Sequence, residues 1–124
     1  MGRLPHTPKS ILLIEDEASF GSFLKQFLLD NTSYQVIVAR DSIQALQLAH
    51  EIIPDLLILD YHLPQMNGLE LYDQLLLKIE PVDIPAILLS APLPKQEIGQ
   101  RRVMSLQKPV YLDVLLWMIQ ELVI

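Results

Sequence analysis

The sequence predicts an α/β domain built on a parallel sheet with helices on both faces. Three observations predict it. Short apolar runs recur five times along the chain, and longer amphipathic stretches separate them. The runs are continuously apolar rather than alternating, as strands covered on both faces are. Strand-like and helix-like stretches taking turns in this way imply crossover connections and a parallel sheet.

Residues 10–14 (SILLI) form the first run. Residues 17–31 place Phe20, Phe23, Leu24, Phe27 and Leu28 at helical spacing and end in an Asp-Asn-Thr-Ser turn. Residues 34–39 (YQVIVA) are rich in β-branched side chains and read as the second strand. Asp41 and Ser42 are suited to cap a helix that runs to about Ile53 before Pro54 closes it. Residues 56–59 form the third strand, and Pro64 and Gly68 punctuate a loop before a helix over 69–79. Residues 85–89 and 103–107 supply the last two strands, and the final helix starts at Tyr111.

The 124 residues suffice for one domain with a buried core, and 51% of them are hydrophobic. Residues 1–9 carry Arg3, His6 and Lys9 with two prolines and read as a flexible tail ahead of a domain over 10–124. No apolar run is long enough for a secretory signal or a membrane span, so no membrane insertion is expected. The chain has no cysteine, which excludes disulfides and thiolate metal sites and fits a cytoplasmic setting. A net charge of −6 argues against direct nucleic acid binding. One local exception is the span 95–108, with Lys95, Arg101, Arg102 and Lys108. It could face an acidic partner, although a solvated loop-helix face is the simpler reading.

The polar residues that end the strands carry the chemistry. The first run leads into Glu15 and Asp16, the third into Asp60, the fourth into Ser90 and the fifth into Lys108. In an open parallel sheet these ends share one edge, where ligands bind. Three carboxylates gathered there repel one another unless a proton or a cation intervenes. A hard divalent cation prefers such oxygen ligands, and Mg2+ suits carboxylates shared with a phosphoryl group. An aspartate so placed is suited to accept that group, with Lys108 offsetting charge on its oxygens and Ser90 bonding to it.

These segments resemble the receiver domain of two-component response regulators. The resemblance is carried by ILLIEDE (residues 11–17), PDLLILDYHLPQMNGLEL (54–71), IPAILLSA (84–91) and LQKPV (106–110). It implies a flavodoxin-like, doubly wound five-stranded sheet in order 2-1-3-4-5, flanked by five helices. Asp60 is then the phosphoacceptor, loaded by a sensor histidine kinase or a histidine phosphotransfer protein. The metal ligands implied are Glu15 (through water), Asp16, Asp60 and the backbone carbonyl of His62, with Mg2+ as cofactor and Mn2+ able to substitute. Ser90, the Ala91 backbone and Lys108 would bind the phosphoryl oxygens, and the Lys108–Pro109 peptide would be cis. Gly68 would permit the backbone conformation that joins the loop to the third helix.

Three departures from the family pattern stand out. Ser105 occupies the place, three before Lys108, where an aromatic usually rotates on activation. The interval from Ser90 to Lys108 is short, so the fourth helix must be short, with Gly99 weakening its middle. His62 and Pro92 occupy positions that tune dephosphorylation in the family. Pro92 has no side-chain group to orient water, which predicts a long-lived phosphoryl state. A rim residue donating a hydrogen bond describes His62 better than a transition-metal ligand does.

On the last helix Leu112, Leu115, Leu116, Ile119, Leu122 and Val123 form a core stripe, and Trp117 falls among polar residues. Trp117 either lies flat over neighbouring stems or contacts another chain. The resemblance implies a face of fourth helix, fifth strand and fifth helix for a homodimer or output domain. Other readings are an interaction module independent of phosphorylation and, less well supported, an Mg-dependent aspartyl phosphatase. The phosphatase would need a second aspartate where His62 stands, and flavin binding is opposed by Glu-Asp-Glu after the first strand.

Overall fold

The computed structural model describes residues 8–79 and 83–123. Residues 1–7 of the expected tail lie outside this range. Lys9 already leads into the sheet, its carbonyl accepting from the Gln35 amide at 2.8 Å.

The chain runs β1 (Ser10–Ile14), α1 (Ala18–Asn31), β2 (Gln35–Ala39), α2 (Ser42–Glu51), β3 (Leu56–Asp60), α3 (Gly68–Lys78), β4 (Ala86–Ser90), α4 (Lys95–Ile98), β5 (Val103–Gln107) and α5 (Leu112–Leu122). The five strands are all parallel, in the order β2-β1-β3-β4-β5. This is the doubly wound α/β architecture with a short fourth helix. Among the described residues no helix is long and apolar enough to cross a membrane.

Successive side chains of a strand point to opposite faces, and here both faces are covered. Leu12, Ile14, Leu57, Leu59 and Leu88 pack with Ala45, Leu71 and Leu75 under α2 and α3. Ile11, Leu13, Leu56, Ile58 and Leu89 pack with Leu24, Leu28, Leu115 and Ile119 under α1 and α5. Two apolar layers explain why the central strands are unbroken apolar runs. Burying one such side chain contributes on the order of 2 kcal/mol.

Side-chain caps fix where the first three helices begin. The Glu17 carboxylate accepts from the Ser19 and Phe20 amides at the start of α1, and Asp41 accepts from Gln44 at the start of α2. Asn67 and Glu70 form a reciprocal capping box on α3. Tyr72 is buried, and its hydroxyl donates to the Ile84 carbonyl at 2.7 Å.

Several expectations change. Phe23 is 52% exposed, because the stripe of α1 that faces the sheet is narrower than its apolar sequence. Gly99 is not in the middle of α4 but ends it at φ +61°, a conformation that favours glycine. Gly68 has no positive φ; the left-handed residue of the loop is Gln65, at φ 77°. Gly68 is required by space instead: an added Cβ would lie 2.6 Å from the Asp60 carbonyl oxygen and 2.7 Å from Leu88 Cδ1. On α5, Met118 is buried while Leu112, Leu116 and Leu122 are only half-buried.

Candidate functional site

The carboxyl ends of β1, β3 and β4, with the loop after β5, converge at one edge of the sheet. Register accounts for this directly. Asp60 pairs with Leu89 one residue short of Ser90, and Ser90 pairs with Gln107 one short of Lys108. Glu15 follows β1 at once, its amide donating to the Ala39 carbonyl at 3.0 Å.

One ligand oxygen from each of Glu15, Asp16 and Asp60 lies within 4.8 Å of the others. Glu15 and Asp60 are buried and Asp16 is exposed, so the cluster has a dry floor and an open mouth. The Lys108 ammonium sits 3.0 Å from Asp60 Oδ2, and the His62 amide donates to Asp60 Oδ1 at 3.3 Å. Both oxygens of the Asp60 carboxylate are thereby oriented. Ser90 is buried, with its hydroxyl donating to the Ala91 carbonyl at 2.6 Å. The Lys108 amide donates to the Ser90 carbonyl at 3.0 Å, and the peptide between Lys108 and Pro109 is cis.

Glu15 carries the orphaned polar atom of the cluster. Its Oε2 accepts from the Glu17 amide at 3.0 Å, whereas its buried Oε1 has no hydrogen-bond partner among the described residues. Burial, with the nearby Asp60 charge adding to it, pushes the Glu15 carboxyl from the ordinary 4.5 up to about 7. An orphaned carboxylate oxygen beside two further carboxylates is the donor set a hard divalent cation takes. The residues therefore fit Mg2+, the ion that receiver domains hold at an acidic pocket of this kind.

Other predicted residues lie further out. His62 is exposed, its ring edge-on to that of Tyr61 with centroids 5.0 Å apart, and no hydrogen bond from that ring is found among the described residues. Pro92 and Ser105 are exposed, and Trp117 is 55% exposed on α5. Three of the cations in the span 95–108 make separate contacts. Arg101 makes a two-pronged pair with Asp73 at 2.7 Å, Arg102 bonds the Asp83 carbonyl, and Lys108 turns to Asp60.

Sequence reasoning missed the apolar lip. Phe20, Pro109 and Val110 line a cavity of about 440 Å³ shared with Asp16, Asp60 and Lys108. Phe20 packs against the core as its spacing predicts, and from the first turn of α1 it also lines the site.

The response regulator receiver domain model matches residues 11–120. The chain is 37% identical over 83 residues to the alkaline phosphatase synthesis transcriptional regulatory protein PhoP of Bacillus subtilis, covering 67% of this chain and 33% of PhoP. It is 36% identical over 84 residues to the polar-differentiation response regulator DivK of Brucella anthropi, covering 68% of each. The chain thus corresponds to about a third of one curated relative and two thirds of the other. The chemotaxis protein CheY4 of Vibrio cholerae superposes with a TM-score of 0.84 at 25% identity, over 94% of this chain and 99% of CheY4. With that fold, and with the acidic cluster and the lysine gathered at one sheet edge, the chain belongs to the response regulator receiver domain family of two-component signal transduction.

Proposed function

We propose that Asp60 is the phosphoacceptor of a switch that takes its phosphoryl group from a phosphohistidine. The donor class is a sensor histidine kinase or a histidine phosphotransfer protein, the partners with which receiver domains work. One observation carries this reading: the buried Asp60 carboxylate is held by Lys108 at 3.0 Å beside the acidic pair Glu15 and Asp16.

Glu15, Asp16, Asp60 and the His62 carbonyl are the protein groups that would hold Mg2+, or Mn2+ in its place. When bound, the ion offsets the carboxylate charge and the charge on the phosphoryl oxygens. The chain's own residues do the rest. Lys108 and the His62 amide orient Asp60, so that one of its oxygens is presented to the phosphorus. The bond to the donor imidazole nitrogen breaks, and its electron pair stays with that nitrogen. Lys108, the Ser90 hydroxyl and the Ala91 amide bind the transferred oxygens, which requires Ser90 to leave the Ala91 carbonyl. Phe20, Pro109 and Val110 keep one side of the site apolar.

The output is a change in binding to another domain or chain, through α4, β5 and α5. Tyr111 at the N-terminal cap of α5, and Val114 and Trp117 three and six residues further on, are exposed at 67%, 36% and 55%. Such a stripe is suited to a homodimer or an output-domain contact. Residues 10–124 act as one receiver unit in this reading.

The test is intact-protein mass after incubation with acetyl phosphate, with and without Mg2+, for wild type and Asp60→Ala. A single adduct that needs both Mg2+ and Asp60 supports the proposal. A folded protein that gains no adduct under any condition contradicts it.

A further inference from the structure

A second cavity, of about 260 Å³, opens between α1 and the β2–α2 corner, on the far side of Glu15 from the acidic cluster. Its floor is Gly21, its apolar wall is Val38, and its rim carries Ser22, Lys25, Arg40 and Gln44. The geometry points to a binding site for a small oxyanion, a phosphate- or carboxylate-bearing molecule of a few heavy atoms.

Three observations support it. Lys25 and Arg40 are both exposed, and neither makes a side-chain hydrogen bond or ion pair among the described residues. Arg101 and Lys108, by contrast, both turn to carboxylates. Two free cations on one small concavity favour an anion, and Arg40 offers a forked donor that matches its oxygens.

Gly21 is the second. It is buried inside α1, where glycine is about 1 kcal/mol less favourable than alanine. An added Cβ would meet Glu15 Cγ at 3.6 Å, Glu15 Cβ at 3.7 Å and Val38 Cγ1 at 3.8 Å, all ordinary contacts. Neither strain nor a clash requires glycine here, in contrast to Gly68. What its missing side chain does is deepen the cavity beneath the two cations.

The third is the wall between the two sites. Glu15 turns its methylene stem toward Gly21, while its carboxylate bonds to the Glu17 amide and joins the acidic cluster. An anion at Lys25 and Arg40 is therefore separated from the carboxylates by aliphatic carbon. The two sites share a residue and have opposite charge preferences. A cavity of this size is below the usual range for drug-sized ligands, which limits the occupant to something near inorganic phosphate or a short carboxylate.

The probe is inorganic phosphate, titrated into the metal-free protein at constant ionic strength and followed by amide NMR, with chloride as the control. Saturable shifts centred on Gly21, Ser22, Lys25, Arg40 and Gln44 are expected. Lys25→Gln with Arg40→Gln should weaken them at least tenfold. Gly21→Ala should raise the melting temperature and weaken phosphate binding together, which separates occupancy of the cavity from damage to the fold. Shifts that do not saturate, that chloride reproduces, that survive the double substitution, or that centre on Asp60 and Lys108 would overturn the assignment. Acetate titrated in the same way separates phosphate from carboxylate preference, and binding of neither overturns the site.

Discussion

Ser105 of β5 lies in register beside Leu88 of β4, yet Leu88 is fully buried and Ser105 is exposed. The two project from the same face of the sheet, and the difference between them is cover. The helix that follows β4 is reduced to Lys95–Ile98 and buries no residue. Ser105 and Gln107 consequently meet water, while Val103 is half-buried at the other end of the strand. The absent aromatic and the short helix are therefore one feature, since a ring at 105 would have no wall to pack against. Ser105→Phe is expected to stay exposed, changing stability by no more than about 0.5 kcal/mol and adduct formation by less than twofold. Urea unfolding and intact mass check both halves of this.

Gly68 is the opposite case, because its surroundings are backbone and core. Gly68→Ala is expected to cost about 1–3 kcal/mol, the range for overpacking, and to displace the Asp60 carbonyl that its Cβ would strike. Chemical denaturation measures the first effect. Reduced phosphoryl uptake at equal folded fraction measures the second.

Lys108 is part-exposed and contributes more to orientation and charge at Asp60 than to the core. Lys108→Met is expected to fold normally and to lower the rate of adduct formation at least about tenfold, since a positioned cation beside a transferring phosphoryl group is lost. Stopped-time mass measurements give the rate, and circular dichroism confirms the fold.

The raised Glu15 pKa makes stability depend on pH in a definite direction. Below about pH 4.5 both folded and unfolded chains hold the Glu15 proton. Between 4.5 and about 7 the unfolded chain releases it while the folded chain keeps it. Stability contributed by Glu15 is thus lost as pH rises through this window, by on the order of 3 kcal/mol at most. In the metal-free protein Glu15→Gln should flatten this fall, and Mg2+ should restore stability to the wild type at neutral pH. Thermal melts from pH 4.5 to 8, with and without Mg2+, test the sign.

Pro92 is exposed two residues beyond Ser90 and has no side-chain donor or acceptor. The adduct at Asp60 is expected to persist for minutes or longer at neutral pH, and Pro92→Gln to shorten its lifetime. A half-life of seconds in the wild type would contradict this.

The fold was legible because the sheet is covered on both faces: SILLI and LLIL must be buried whole, and their polar successors must then emerge at one edge. Glu15, Asp16, Asp60, Ser90 and Lys108 could be located from that rule alone. What could not be read depended on how closely elements approach. Phe23 shares the spacing of Leu24 and Phe27, but only the width of the α1 contact decides that its ring faces water. Gly68 and Gly99 look alike in sequence, yet one answers a steric demand and the other a positive φ. The pairing of Arg101 with Asp73 joins residues twenty-eight apart, and it turned a basic span into separate local contacts.

The most direct measurement is the position of the phosphoryl group itself. Protein loaded with acetyl phosphate and Mg2+ would be reduced with borohydride, which converts an aspartyl phosphate to homoserine, and its peptides sequenced by mass spectrometry. The account predicts homoserine at Asp60 alone, dependent on Mg2+. Modification at Asp16 or elsewhere, or none in a folded sample, would contradict it.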